Sequence, residues 1–330
     1  MAGRVMKRLL FVAAGLVGLV VVVAVGVMIW LATAFPKVAP ASDRKAATSV
    51  AAIARGDYLF NKLCACAACH SQRDHLRLAG PLWPGTLGQG GEVFERKDGM
   101  PGTIPAPNLT PTALADWSDG EIARAIDSGV SKDGRALFPI MPYQHYAKLA
   151  TADVDALVVY LRTLAPITNP VAARHLDFPM NLIVNTIPAD PVGQPATPPA
   201  VADPAYGAYV INAAACLHCH SPSHHGEPIK GQEFSGGVTF PMPGGTVASA
   251  NLTPDAETGI GKWSRADFIK RFKHGPEANP PPREPNSYDS PMPWSFYAAM
   301  DEADLGAIYD YLHGLPAVSH AVVKVTPIKP

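Results

Sequence analysis

The sequence predicts an all-α protein: two tandem helical domains with long loops, preceded by one transmembrane helix. Three observations carry this. The pentapeptide Cys66-Ala67-Ala68-Cys69-His70 recurs as Cys216-Leu217-His218-Cys219-His220, and a series of further motifs follows each copy. Apolar residues in both halves fall at the spacing of one helical face. Leu9 to Trp30 run without a charge. The 330 residues suffice for two or three domains, and 34 prolines with only 17% charged residues suit small helical units joined by long, fixed loops.

In chain order, residues 1–36 read as an N-terminal transmembrane anchor. Leu9 to Trp30 is 22 residues, about 33 Å as a helix against a hydrocarbon core of about 30 Å. Arg4, Lys7 and Arg8 precede it and no acidic residue occurs before Asp43. The positive-inside rule then keeps the short N-terminus cytoplasmic and places the rest on the periplasmic side of the inner membrane. Ala32-Thr33-Ala34 resembles a signal-peptide cleavage site, but the apolar run exceeds the roughly 7–15 residues of a signal h-region.

Residues 46–165 form the first domain, 166–203 a proline-rich linker and 204–330 the second domain. Asn108-Leu109-Thr110-Pro111 recurs as Asn251-Leu252-Thr253-Pro254, Trp117-Ser118 as Trp263-Ser264, Met141-Pro142-Tyr143 as Met292-Pro293-Trp294, and Tyr160-Leu161 as Tyr311-Leu312. Tyr58 and Tyr209 precede the pentapeptides. Two long units of this kind indicate duplication, not a solenoid. Within each, Val154, Leu157, Val158 and Leu161, or Leu305, Ile308, Tyr309 and Leu312, define a final helix. Ser118 with Glu121, and Ser264 with Asp267, predict capped middle helices ending near Gly129 and Gly275. A further helix leads into each pentapeptide. No segment gives a strong strand signal.

C-x-x-C-H is the attachment signature of c-type haem. Two cysteines three apart share one side of a helical turn, where both can form thioethers with one porphyrin, and the histidine supplies the proximal iron ligand. The copies predict two covalent haems, on Cys66, Cys69 and His70 and on Cys216, Cys219 and His220. A zinc site would gather four ligands, and a thioredoxin-like dithiol would lie in a βαβ context. Neither pattern fits two clusters 150 residues apart. Cys64 is left as a packed or free thiol.

Met141 and Met292 are the candidate distal ligands, 71 and 72 residues after the haem histidines. Thioether sulfur is a soft ligand that raises the potential, and the proline after each holds the loop extended. A rival pair, Met100-Pro101-Gly102 and Met242-Pro243-Gly244, stands 30 and 22 residues from the histidines, a poorer match. His75, His145, His224 and His225 have no repeated counterparts, and His218 reads as incidental. Trp117 and Trp263 either pack beside haem or hydrogen-bond a propionate. Arg124, Arg135, Arg265 and Arg271 are candidates to pair with propionates.

The chain resembles the cytochrome c subunits that accompany bacterial membrane-bound alcohol and gluconate dehydrogenases. The matching residues are the two C-x-x-C-H motifs, the Asn-Leu-Thr-Pro loops, Thr258-Gly259-Ile260-Gly261-Lys262-Trp263-Ser264 and the Met-Pro-Tyr/Trp loops before a final Tyr-Leu helix. The resemblance implies class I-like cytochrome c domains and the eight ligand residues already named. It departs from those subunits in number: they typically carry three haem domains and a C-terminal anchor, whereas this chain shows two and an N-terminal anchor.

The expected function is electron transfer, not catalysis: single electrons passing between a respiratory or dehydrogenase donor and an acceptor on the periplasmic side. The implied partners are membrane lipid, through the N-terminal helix, and redox proteins: a dehydrogenase, a quinol-oxidising complex, a terminal oxidase or a soluble cytochrome. Beyond Arg4, Lys7 and Arg8, 24 basic residues face 28 acidic ones, which leaves no nucleic-acid footprint. The alternative is a dihaem peroxidase, which needs one haem with an open distal site; two Met-Pro loops at matching positions weigh against it.

Overall fold

A computed structural model describes residues 2–224, 226–242, 245–275, 280–284 and 289–327. The fold is helical and begins with one long apolar helix, Ala2–Thr33. That helix is long and apolar enough to cross a membrane and leaves its apolar side chains exposed.

Each half is built around two helices packed face to face: Val50–Tyr58 against Thr151–Thr163, and Tyr206–Ala213 against Glu302–His313. Glycine sets both crossings. A Cβ on Gly56 would lie 2.1 Å from the Ala156 carbonyl oxygen, and one on Gly207 would lie 2.6 Å from that of Ala307. Neither distance is attainable, so only glycine lets the helices approach this closely.

The middle helices are Asp119–Asp127 and Arg265–His274, each opened by a complete capping box, Ser118 with Glu121 and Ser264 with Asp267. The first ends before Gly129 at φ +73°, while Gly275 ends the second at φ −66°. Both helices terminate where the sequence indicates, but only the first uses a left-handed glycine.

A five-residue π turn, Leu59–Leu63, continues the helix Val50–Tyr58. Its origin is a one-residue insertion. Tyr58 and Tyr209 are 151 positions apart, yet Cys66 and Cys216 are 150 apart. The first half must fit one more residue between tyrosine and cysteine, and a π turn absorbs it without breaking the helix.

The loops carry β-structure that the sequence did not signal. Val93–Phe94, Gly102–Pro105 and His175–Leu176 form a three-stranded antiparallel sheet, with Phe94 opposite Ile104 and Gly102 opposite Leu176. Thr239–Met242, Gly245–Ala248 and Val325–Pro327 form its counterpart, with Phe240 and Val325 both opposite Val247. A small ribbon pairs Ser223–His224 with Glu227–Pro228. These strands have two to four residues, too short to show a period of two. The segment after Ala165 packs on the first half: Leu176 and Val184 are buried in a small cluster with Ile104 and Ala136.

One hydrophobic cluster runs through both halves, from Leu59, Leu63, Leu157 and Leu161 to Val210, Phe268, Leu305 and Leu312. Polar contacts also join them. The Tyr58 hydroxyl donates to Asp304 at 2.6 Å, and the Tyr209 hydroxyl donates to Asp153 at 2.6 Å. On the loops, Leu78 N–H donates to the Pro281 carbonyl at 3.1 Å and Arg283 N–H to that of Leu76 at 2.8 Å.

Candidate functional site

Each C-x-x-C-H motif is a short helical segment, Ala67–His70 and Cys216–His220. The residue before each first cysteine, Ala65 or Ala215, is left-handed at φ +48° or +52°. Positive φ is uncommon for a residue with a Cβ. Both halves use it to turn the chain from its leading helix into the motif.

The histidines are held alike. His70 Nδ1 is 2.9 Å from the Pro107 carbonyl oxygen, and His220 Nδ1 is 2.8 Å from that of Ala250. A carbonyl partner makes Nδ1 the protonated nitrogen and leaves Nε2 as the free donor, the arrangement that suits a metal-ligating imidazole. Burial lowers both imidazole pKa values, against the smaller opposing effect of those carbonyl bonds, so the rings are held neutral.

The loops that supply those carbonyls are fixed by the Asn-Leu-Thr-Pro motifs. Asn108 Nδ2 donates to the Ile167 carbonyl and Asn251 Nδ2 to that of Val318, both at 2.8 Å. Each asparagine oxygen also accepts from the threonine two residues on, at 2.8 Å from Thr110 N–H and 2.9 Å from Thr253 N–H. The repeated motif is thus a clip between the histidine loop and the chain after the last helix.

The methionine loops match as closely. Tyr143 N–H donates to the Met141 carbonyl and Trp294 N–H to that of Met292, each at 2.8 Å. Pro142 has φ −81°, ψ 51° and Pro293 φ −78°, ψ 62°. Both are inverse γ-turns with proline at the centre. Just beyond, the Tyr146 hydroxyl donates to the Cys64 carbonyl at 3.2 Å, and the Tyr297 hydroxyl to that of Ala214 at 2.8 Å.

All eight sequence-predicted ligand residues line one cavity of about 1180 Å³: Cys66, Cys69, His70, Met141, Cys216, Cys219, His220 and Met292. Its walls are mostly apolar and include Phe60, Leu114, Ile122, Phe268, Leu305 and Ile308. The two motifs meet within it. Desolvation by the surrounding cavity walls first, and then Cys69, pushes the Cys219 thiol, whose surface is open to the cavity, up to about 11. Burial likewise pushes the Cys66 and Cys216 thiols up to about 12. Such thiols are protonated at neutral pH, unlike those of a reactive dithiol. Among the described residues no group of three or more His, Cys, Asp or Glu side chains could hold a metal ion unaided. The donor set suits a ligand that brings its own coordinating ring.

The rival residues lie elsewhere. Met100 packs with the small cluster around Ile104, and Met242 is half-buried on the strand Thr239–Met242; neither lines the cavity. Pro243, Gly244 and His225 lie outside the described residues. His75 is exposed beside Glu92 at 2.9 Å, and His224 is exposed on the ribbon Ser223–His224. Cys64 is buried at 7% exposure. His218 does line the cavity, with its ring 6.1 Å from that of His145.

Trp117 and Trp263 both line the cavity. Of the four arginines, Arg135 and Arg271 reach it, the latter with its guanidinium 4.0 Å from the Trp294 ring centre. Arg265 pairs with Asp310 at 3.4 Å, and Arg124 donates to the Ser131 carbonyl at 2.8 Å.

A fifth arginine escaped the sequence reading. Arg174 lines the cavity and carries a buried Nη1 without a hydrogen-bond partner. Burial, then its neighbour Arg135, lowers its pKa to about 10. A buried, unpartnered guanidinium donor on a residue that lines the cavity, beside a second cation, calls for an anion. A haem propionate meets that need, so charge, donors and apolar walls together fit haem. Arg174 sits in the segment that reads as linker and has no repeated motif around it, which is why the sequence did not mark it.

Set against known proteins, the chain is similar to c-type cytochrome subunits. In particular, it is 27% identical over 245 residues to the cytochrome c subunit of the quinone-dependent alcohol dehydrogenase of Gluconobacter oxydans (strain 621H), covering 68% of this chain and 47% of that subunit. It is 29% identical over 243 residues to the cytochrome c subunit of gluconate 2-dehydrogenase from Pantoea cypripedii, covering 68% and 51%. Over 116 residues it is 30% identical to a diheme c-type cytochrome of Cereibacter sphaeroides, covering 35% and 37%. The chain spans about half the length of the two dehydrogenase subunits. No protein-family profile matches it.

Proposed function

We propose that the protein is a membrane-anchored dihaem cytochrome c that passes single electrons between a respiratory or dehydrogenase donor and an acceptor on the periplasmic side. One observation carries this most: two equivalent Cys-Cys-His-Met arrays face one apolar cavity. The similarity to cytochrome c subunits of dehydrogenases supports it. Residues 46–165 and 204–330 are the two haem domains, joined by 166–203.

In this reading Cys66 and Cys69, and Cys216 and Cys219, each carry one haem c by thioethers. His70 and His220 are proximal ligands, oriented by Pro107 and Ala250; Met141 and Met292 are distal ligands, held out by their γ-turns. Arg174 and Arg135 neutralise a propionate. Bound there, haem c supplies reversible one-electron iron chemistry. The residues around it contribute burial and soft ligation, both of which disfavour the extra charge of ferric iron. The helix Ala2–Thr33 keeps the protein at the inner membrane and raises its local concentration near membrane partners.

The test is an absorption spectrum of the purified oxidised protein, scaled to haem content. Two haems with the full methionine-sulfur-to-ferric-iron band are expected. A high-spin ferric haem that binds cyanide would instead indicate an open site and a peroxidase-like enzyme. A low-spin spectrum lacking the band would overturn the two methionines.

A further inference from the structure

The stretch from Asp177 to Thr186 is built against the exit of the N-terminal helix. Its short helix Met180–Ile183 and the turn Val184–Thr186 both contact that helix. Asn185 Nδ2 donates to the Leu31 carbonyl at 3.4 Å. Where they meet, Met28 and Leu31 are half-buried, whereas the helix from Gly3 to Val27 is exposed throughout. Leu31 immediately follows the apolar run Leu9–Trp30, so Asn185 sits at the depth where the hydrocarbon ends.

Side chains around that level have interfacial character. The Trp30 and Phe35 rings meet edge to face at 5.0 Å, and the Lys37 ammonium lies 5.0 Å from the Phe35 ring centre. Aromatic rings and lysine of this kind mark the headgroup region. Two large apolar side chains of this segment are exposed: Phe178 at 70% and Ile183 at 41%. Ile183 is two residues from Asn185, within about 7 Å by chain reach. The opposite side of the segment is anchored, with Leu176 and Val184 buried against Ile104.

We infer that Asp177–Thr186 is a membrane-surface contact, with Phe178 and Ile183 entering the boundary between lipid headgroups and acyl chains. The inference rests on the anchor reading. It makes the start of the linker a second foot for the protein, and because Arg174 and Leu176 immediately precede it in the chain, it fixes how the cavity is presented to membrane partners.

The full-length haem-loaded chain is reconstituted in phosphatidylcholine–phosphatidylglycerol nanodiscs containing a phospholipid with a diazirine near the top of its acyl chain. After illumination, lipid adducts are mapped by mass spectrometry. Adducts are expected on the peptide of residues 9–30 and on the peptide carrying Phe178 and Ile183. In F178S/I183S the second set should fall several-fold, with the first set and the Soret spectrum unchanged; I183S alone should give a partial fall. Labelled helix with unlabelled 178–183 in the unmodified protein would overturn this inference and leave the anchor intact. No label on residues 9–30 would overturn the anchor reading, and this inference with it.

Discussion

Tyr58, on the leading helix of the first half, hydrogen-bonds Asp304, on the last helix of the second, at 2.6 Å. The relationship is reciprocal: Tyr209, on the leading helix of the second half, bonds Asp153, on the last helix of the first, also at 2.6 Å. Each tyrosine hydroxyl additionally accepts a backbone N–H at 3.0 Å, from Asp301 or Ala150, at the start of those last helices. Two like units have thus become one body through a swapped pair of identical contacts. Asp153 is also held by Arg55 through two bonds of 2.9 and 2.7 Å, and Asp304 by the Tyr206 hydroxyl at 2.5 Å.

These buried carboxylates should be costly to disturb. Tyr58→Phe and Tyr209→Phe each remove one charge-assisted bond, an expected loss of about 1.5–3 kcal/mol. Asp153→Ala strands the Arg55 guanidinium and should cost more, about 3–5 kcal/mol. Urea unfolding of the haem-loaded protein measures both. Equal costs for Y209F and D153A would refute the Arg55 contribution.

Haem stoichiometry tests the paired motifs. A pyridine haemochrome assay should give two haems per chain for the unmodified protein and one for C216S/C219S or C66S/C69S. Cys64→Ser should leave the value at two, because Cys64 is buried beside the motif and outside the C-x-x-C-H pattern. A loss of haem in C64S would contradict the assignment.

Met141→Ala and Met292→Ala should each halve the sulfur-to-iron band and lower the potential of one haem, since each removes one soft ligand. Met100→Ala should change neither, as Met100 packs away from the cavity. Redox titration with optical detection separates the three variants. An unchanged band in M141A and M292A would show that methionines other than these two supply the sulfur.

What could be read in the sequence was local or repeated. The capping boxes at Ser118 and Ser264 and the stripe Val154, Leu157, Val158, Leu161 depend on neighbours within a turn or two. The candidate ligand residues stand out because they occur twice. The small sheets did not, since strands such as Val93–Phe94 are specified by partners far along the chain. Arg174 was hidden by the proline-rich stretch around it. Tyr58 and Tyr209 were visible as a repeat, but nothing local tells that each bonds the opposite half. His145 does not repeat and so carries no motif signal, yet at a contact between two similar units an unmatched residue is where the faces differ.

That residue gives a pH dependence. His145 Nδ1 lies 3.1 Å from Asn212 Oδ1, and Asn212 Nδ2 donates back to the His145 carbonyl at 2.9 Å, joining the two halves. The first of these needs a proton on Nδ1, which both the neutral tautomer protonated there and the imidazolium carry, so burial of the ring, not this bond, sets the pH dependence. Burial pushes the His145 pKa down to about 4, partly opposed by the Asn212 bond and reinforced by His218 and Lys148. In the unfolded chain the imidazole takes up its proton near pH 6.5, while the native state withholds it until about 4. The stabilisation is therefore complete above pH 6.5 and is lost as pH falls from 6.5 towards 4, by about 3 kcal/mol at most. The matching position in the second half is Phe296, so His145→Phe is the natural comparison. Urea midpoints at pH 7, 6 and 5 should fall steeply for the unmodified protein and less steeply for H145F, even though H145F is weaker at pH 7 for want of the Asn212 bond. Parallel slopes would show that His145 is already protonated, or already solvated, in the folded protein.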